Sequence, residues 1–213
     1  FSMIKLNTEQ EEFWTSEFAD EYILRNDIAK LLPSKINLFS NILKYTHNAN
    51  SFIEFGANIG TNLLALKKLK PQALLNAVEI NKNACEELRS LKICTNVWEN
   101  SILNDLKLHK VSLTFTCGVL IHINPNYLGQ AYEQLYRWST KYILICEYFS
   151  PIPEKINYRG HKNKLFKRDF AGEMLTRYKD LNLINYQFCY KNDNNFPMDN
   201  ITWFLMEKKD NLL

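Results

Sequence analysis

A doubly wound α/β fold is predicted by three features of the sequence. Short apolar runs alternate with amphipathic stretches from Ser51 to Phe149, a glycine-containing turn closes the first run, and two further strand candidates flank a polar turn near the C-terminal end. The expected sheet is Rossmann-like, seven-stranded and mostly parallel, with helices in front of it and an antiparallel hairpin behind.

The elements follow in order. From Asn7 to Asn26, the apolar residues Phe13, Trp14, Phe18, Tyr22 and Ile23 recur at three- to five-residue spacings with acidic residues between them, which is helical periodicity. A second helix is expected after Pro33, with Ile36, Phe39, Ile42, Leu43 and Tyr45 on its apolar side. The strand candidates SFIEF, ALLNAVE, ICTNVW, VSLTFTCG and KYILICEYF then alternate with helices over Thr61 to Leu69, Asn81 to Leu91 and Pro125 to Trp138. Asn124 caps the last of these, with Pro125 at its first position. SPIPEKINYRGHKNKLFKRDF reads as a cationic loop, followed by a helix from Arg168 to Tyr178. Leu183 to Tyr190 and Ile201 to Glu207, on either side of KNDNNFPMDN, read as the hairpin. Residues 1–48 form a helical N-terminal segment and residues 49–213 one compact domain.

Length and composition agree with this division. A chain of 213 residues suits one α/β domain with a modest addition, and 46% hydrophobic and 13% aromatic residues supply a core and an aromatic-walled pocket. A net charge of +3, from 26 Lys plus Arg against 23 Asp plus Glu, is too mild to point to nucleic acid. No apolar run approaches the roughly 18 residues of a membrane span, so a cytoplasmic protein is expected. Cys85, Cys94, Cys117, Cys146 and Cys189 are widely spaced without a C-x-x-C pair, and no carboxylate cluster suits magnesium. Neither disulfides nor a metal are expected.

Glu54-Phe-Gly56-Ala-Asn58-Ile-Gly60-Thr61 follows the first strand and opens a helix, the place where an open α/β sheet exposes a tight turn to a ligand. Gly56 and Gly60 allow close backbone approach, and Asn58 tolerates positive φ. The dinucleotide fingerprint is G-x-G-x-x-G, with a pyrophosphate at the helix N-terminus. Here the spacing is G-x-N-x-G, and Glu54 is a poor neighbour for a diphosphate but a suitable acceptor for an ammonium group. S-adenosylmethionine carries an ammonium and no phosphate, and is the expected cofactor. Glu79, ending the second strand, can accept hydrogen bonds from ribose hydroxyls. Asn100 and Ser101, after the third, can meet an adenine edge. Cys117, Gly118 and Val119 end the fourth strand beside the same site. The structural alternatives are a plain turn, a solvated Glu79 and an Asn100 helix cap.

His122 lies just beyond, where the methyl group of such a cofactor is expected. Methyl transfer from a sulfonium gains much of its acceleration from alignment and water exclusion, and needs a base only if the acceptor loses a proton early. His122 is either that base or a structural residue. Glu147 and Tyr148, ending the fifth strand, are the rival catalytic candidates. Asn124-Pro-Asn-Tyr127 differs in placement from the N-P-P-Y tetrad of nucleobase amino-methylating enzymes. In the cationic loop, Tyr158, Arg159 and His161 are candidate substrate contacts, with Arg159 able to fork a carboxylate or phosphate on an anionic acceptor.

QEEFWTSEFADEYILRN, EFGANIGTN, CGVLIHINP and FSPIPEKINYRGHKNKLFKRDFAGE together resemble the pseudaminic acid biosynthesis-associated methylases, a branch of the class I S-adenosylmethionine-dependent methyltransferases. The resemblance implies a bacterial enzyme of surface-glycan biosynthesis whose acceptor is a nonulosonic sugar, of pseudaminic or legionaminic acid type, or its nucleotide-activated precursor. It also implies that Trp14, Tyr22, Arg25 and Asn26 form a lid over the cofactor, with Arg25 reaching its carboxylate. FADEY departs from the family, which favours glycine where Ala19 stands. Two other readings stay open: a methyltransferase for small-molecule or protein amines, and a cofactor-binding module without catalysis.

Overall fold

The central apolar runs form strands because both faces of the sheet are covered there, and the turn residues between them set the strand ends. The structure, a computed structural model, describes residues 4–25 and 27–209. Helices α1 (Glu9–Trp14), α2 (Glu17–Arg25) and α3 (Ile28–Leu43) lead into β1 (Ser51–Phe55), α4 (Thr61–Leu69), β2 (Leu74–Glu79), α5 (Lys82–Ser90), β3 (Asn96–Glu99) and β4 (Val111–Cys117). Then come α6 (Leu128–Trp138), β5 (Ser139–Glu147), β6 (Glu154–Tyr158), β7 (His161–Lys167), α7 (Phe170–Arg177), β8 (Leu181–Cys189) and β9 (Ile201–Lys208).

Seven strands make one sheet in the order β3-β2-β1-β4-β5-β9-β8. The pairs from β3 through β5 are parallel, whereas β9 runs antiparallel to both β5 and β8. The chain returns to the centre between β1 and β4, which creates the crevice at the carboxyl ends where such sheets hold ligands. One face packs Phe39, Phe52, Leu63, Phe115 and Trp203 under α3 and α4. The other packs Ile53, Phe55, Leu135, Phe170 and Met174 under α6 and α7.

Three expectations change. The helix expected over residues 7–26 is broken at Thr15 and Ser16. The Thr15 hydroxyl donates to the Glu11 and Glu12 carbonyls (3.2 and 3.0 Å) and the Ser16 hydroxyl to that of Phe13 (2.7 Å), so local bonds replace helix continuation. The second helix begins before Pro33: Asp27 caps α3 by accepting from the Ala29 and Lys30 amides at 3.0 and 3.3 Å, and Pro33 sits inside it. The cationic loop is mostly a hairpin, β6–β7, paired as a separate two-stranded sheet. Arg159 and Gly160 form its turn between the pair Tyr158 and His161, with φ of 49° and 86°, the positive values of a two-residue hairpin turn.

Candidate active site

The loop after β1 is shaped by three residues with positive φ: Gly56 at 74°, Asn58 at 48° and Gly60 at 82°. A Cβ on Gly56 would lie 2.4 Å from Val119 Cγ2, and one on Gly60 2.2 Å from Leu88 Cδ1, so both glycines are also demanded by packing. Gly118, with φ of 70°, is different. Nothing lies within 4 Å of where its Cβ would be.

That space belongs to a cavity of about 170 Å³ at the carboxyl ends of β1, β2 and β4. Glu79 lines it, and the two carboxylate oxygens accept the Asn58 and Asn81 amides at 2.7 and 2.8 Å. Each oxygen keeps a second lone pair for a ligand hydroxyl. Burial raises the Glu79 carboxyl above the ordinary range, against the pull of those amides.

Buried acceptors without a partner among the described residues gather at the loop: Glu54 Oε2, Asn58 Oδ1 and Asn62 Oδ1. Glu54 is fully buried, its other oxygen taking the Asn62 amide at 2.5 Å, and burial holds its carboxyl well above the usual value. Lys35, from α3, places Nζ 3.5 Å from Cys117 Sγ. A hydrogen bond from the Cys146 thiol and the Lys35 charge draw the Cys117 thiol down to about 6. Cys117, Cys146 and Glu54 hold Lys35 above its ordinary value, although burial opposes this.

Helix α1 roofs the cavity with Thr8, Gln10, Glu11 and Trp14. Glu11 accepts the Ser101 hydroxyl and, at 2.5 Å, the Asn7 amide. Gln10 donates to the Asn163 carbonyl on β7 at 2.9 Å, and Asn81 donates to Asp20 at 3.1 Å. The roof is thus tied to the loop after β3, to the start of α5 and to the hairpin. Behind Trp14, the rings of Phe13, Phe18, Tyr158 and His161 pack at centroid distances of 4.3 to 6.3 Å.

His122, in a 3-10 turn over Leu120–His122, lines the cavity with its ring 4.6 Å from Trp14 and 5.0 Å from Tyr158. Nδ1 lies 2.6 Å from the Lys164 carbonyl, which can only accept, so Nδ1 carries the proton and Nε2 is a bare acceptor. Burial pushes the imidazole down to about 4, so it is neutral at pH 7.

The rival candidates stand elsewhere. Glu147 lies beneath the turn, where Oε1 accepts the Val119 and Leu120 amides, both at 3.0 Å, and Oε2 the Ile121 amide at 3.4 Å. It holds the turn that carries His122 and does not line the cavity. Burial pushes its carboxyl up to about 8. The Tyr148 ring lies under Lys167 Nζ at 5.6 Å, away from the cavity.

Of the residues singled out from sequence, Trp14, Gly56, Asn58, Glu79, Ser101, Cys117, Gly118, Val119 and His122 line the cavity. Glu54 in β1 and Gly60 and Thr61 at the start of α4 lie outside it, as does Asn100, whose Oδ1 accepts the Ser101 amide and the Asn104 side chain. Tyr158 packs on Trp14 and His161 on Phe13 and Phe18, whereas Arg159 is exposed at the hairpin tip with its guanidinium 5.7 Å from the Tyr158 ring. Asn26 and the side chains of Tyr22 and Arg25 lie outside the described residues. Sequence reasoning missed Gln10, Glu11, Asn81, Ile102 and Leu103. Of these, Glu11 and Asn81 carried a local signal, Glu11 as the fourth residue of the Thr8-x-x-Glu11 capping box of α1 and Asn81 as the cap of α5.

No protein-family model and no curated protein matches the chain. Solved structures do. A 1,6-didemethyltoxoflavin-N1-methyltransferase of Burkholderia thailandensis, bound to S-adenosylhomocysteine, is 11% identical with a TM-score of 0.72, over 97% of this chain and 93% of its own. Magnesium protoporphyrin IX methyltransferase of Synechocystis PCC 6803, with S-adenosylmethionine, is 11% identical with a TM-score of 0.68, over 96% and 100%. A plantazolicin methyltransferase with S-adenosylhomocysteine is 14% identical with a TM-score of 0.63, over 94% of each chain. The chain therefore has the class I methyltransferase fold. Among the described residues, no helix is long and apolar enough to cross a membrane, and no group of side chains is arranged to hold a metal ion.

Proposed function

We propose that the protein is an S-adenosylmethionine-dependent methyltransferase, and the observation that carries this is the set of orphaned acceptors at the β1 loop. Among the described residues, Asn58 Oδ1 on the cavity wall is buried with no donor, and Glu54 Oε2 and Asn62 Oδ1, outside the cavity at the two ends of that loop, are buried without one too. Such an arrangement is costly by itself and suited to an ammonium group that reaches the loop. It is hostile to a diphosphate. In this reading Glu79 holds the ribose, Ser101 and the apolar Ile102 and Leu103 border the adenine, and Gly118 leaves room for the reacting centre.

The bound cofactor supplies an electrophilic methyl group. The protein aligns the acceptor and excludes water, with Trp14 and α1 closing the cavity. His122 Nε2 takes a hydrogen bond from an acceptor O–H or N–H, and its low basicity suits it to orientation more than to early proton removal.

The acceptor we propose is a carboxylated nonulosonic sugar or its nucleotide-activated precursor. The reading rests on the resemblance of the N- and C-terminal segments to the pseudaminic acid-associated methylases, and the exposed Arg159 and Lys162 at the hairpin tip suit a carboxylate or phosphate. Arg159→Asn, which keeps the positive φ, is then expected to raise the acceptor KM while cofactor affinity stays unchanged. An unchanged KM argues against the anionic acceptor. The primary test is calorimetric titration with S-adenosylmethionine, S-adenosylhomocysteine and NAD, followed by a methyl-transfer screen over nonulosonic acids, their nucleotide conjugates and simple amines. Binding of NAD alone would overturn the cofactor assignment, and binding without turnover would favour a non-catalytic module.

A further inference from the structure

Among the described residues, nothing covers an aromatic surface at the far edge of the sheet, away from the cavity. Strand β8 is the outermost strand, and α7 covers only its start at Leu181. Register places Tyr186 opposite Phe204 and Phe188 opposite Thr202, so these side chains share the α6–α7 face of the sheet beyond the reach of either helix. Tyr186 stacks on Phe204 with centroids 5.8 Å apart, Phe149 meets Phe204 at 5.8 Å, and Phe188 meets Tyr190 at 6.1 Å. Tyr186, Phe188 and Tyr190 are 61%, 54% and 50% exposed, and Phe149 is exposed beside them.

The segment LNLINYQFCY, Leu181 to Tyr190, contains no charged residue and no proline. Edge strands of soluble proteins are ordinarily blunted by charge, proline or a covering element, because their free N–H and C=O groups recruit another strand. A second copy of this chain fits the edge best, for three reasons. An uncharged strand meets itself without like-charge repulsion. Antiparallel pairing about a two-fold axis is self-complementary, each donor finding an acceptor on the other copy. With aromatic side chains worth about 200 Å² each, the exposed fractions of these four leave about 400 Å² per copy, hence about 800 Å² per pair before the paired backbones are counted, the size of a weak, concentration-dependent association.

We propose that two copies of the chain join through their β8 edges in antiparallel pairing, each copy's aromatic row packing against the other's. The sheet becomes continuous across the dimer. The cavity, at the ends of β1, β2 and β4, is separated from this edge by β5 and β9, so both sites stay open and the proposal stands apart from the cofactor assignment.

Sedimentation of the full chain from about 1 to about 100 µM tests it, since association shifts with concentration. A particle of twice the 25.1 kDa chain mass is expected. Phe188→Lys, which sets ammonium groups near the two-fold axis, is expected to weaken association at least about tenfold with the thermal midpoint of the monomer preserved. Should that variant fail to fold, amide exchange of Leu181–Cys189 in the wild type replaces it, with protection expected to rise with concentration. A monomer throughout the range overturns the proposal, including one that instead binds vesicles or another protein. So does a dimer that Phe188→Lys leaves intact and that gives no concentration-dependent protection of β8.

Discussion

The three positive-φ glycines near the cavity divide by what surrounds them. Gly56 and Gly60 are hemmed in by Val119 and Leu88, so an alanine there clashes with packed side chains in addition to straining the backbone. At Gly118 only the backbone term applies, about 1 kcal/mol, because the added methyl points into the open cavity. Gly118→Ala is therefore expected to lose cofactor affinity with a small fall in thermal midpoint, and Gly60→Ala to lose several times more stability. Calorimetry beside thermal melts separates the two outcomes. His122 gives a prediction in pH. Its folded value of about 4 lies below its ordinary value of 6.5, so between these the unfolded chain takes up a proton that the native ring refuses. Stability from this group is complete above pH 6.5 and is lost as pH falls toward 4, by an amount on the order of 3 kcal/mol. His122→Phe, which cannot titrate, is expected to flatten the acid limb of stability by that order in denaturant melts at pH 7 and pH 4. Parallel curves would mean that the ring is already solvated.

At the scale of elements, α1 is a short helix whose hold on the body is polar. Its six residues are too few for a stable isolated helix, so it persists through the Glu11–Ser101 and Gln10–Asn163 bonds and the rings behind Trp14. Glu11→Ala removes the acceptor for both Ser101 and Asn7. Faster cofactor release and faster amide exchange over Glu9–Trp14 are expected, with exchange in β1 and β4 unchanged; slowed exchange in α1 would refute the roof. The same elements show what the sequence discloses. The central parallel strands were legible because burial on both faces leaves nearly continuous apolar runs such as YILIC, and β8 and β9 were legible because their strand-forming residues flank a polar turn. The hairpin β6–β7 was not. Its strand residues alternate with cations and are largely exposed, and its turn is Arg-Gly, not the Asn-Gly that marks such turns. Glu79, Gly118 and His122 were legible as cavity-lining residues because their place at strand ends follows from the fold. Gln10 and Glu11 were not, since nothing within α1 says which long-range partner its polar face will meet.

Burial sets the residues before Asp27 apart from α3. Among the described residues before Asp27, only Gln10, Glu11 and Ala19 are buried, and two of those three are polar. Helix α3, by contrast, inserts Leu38, Phe39 and Ile42 into the sheet core, with the Phe39 ring 5.4 Å from that of Phe115. At about 1.5 to 3 kcal/mol for each large apolar side chain, those three contribute roughly 5 to 9 kcal/mol, comparable with the whole stability of an ordinary domain. Among the described residues before Asp27, Thr8, Gln10, Glu11, Trp14, Ala19 and Ile23 line the cavity. Removal of residues 1–26 is therefore expected to leave a cooperatively folding sheet with its near-ultraviolet signal retained and its cofactor binding lost. Removal of residues 1–48 is expected to give a chain that aggregates or melts without a cooperative transition. Calorimetric scans of the two truncations decide the point, because equal loss of folding in both would place α1 and α2 in the core, and equal retention would take α3 out of it.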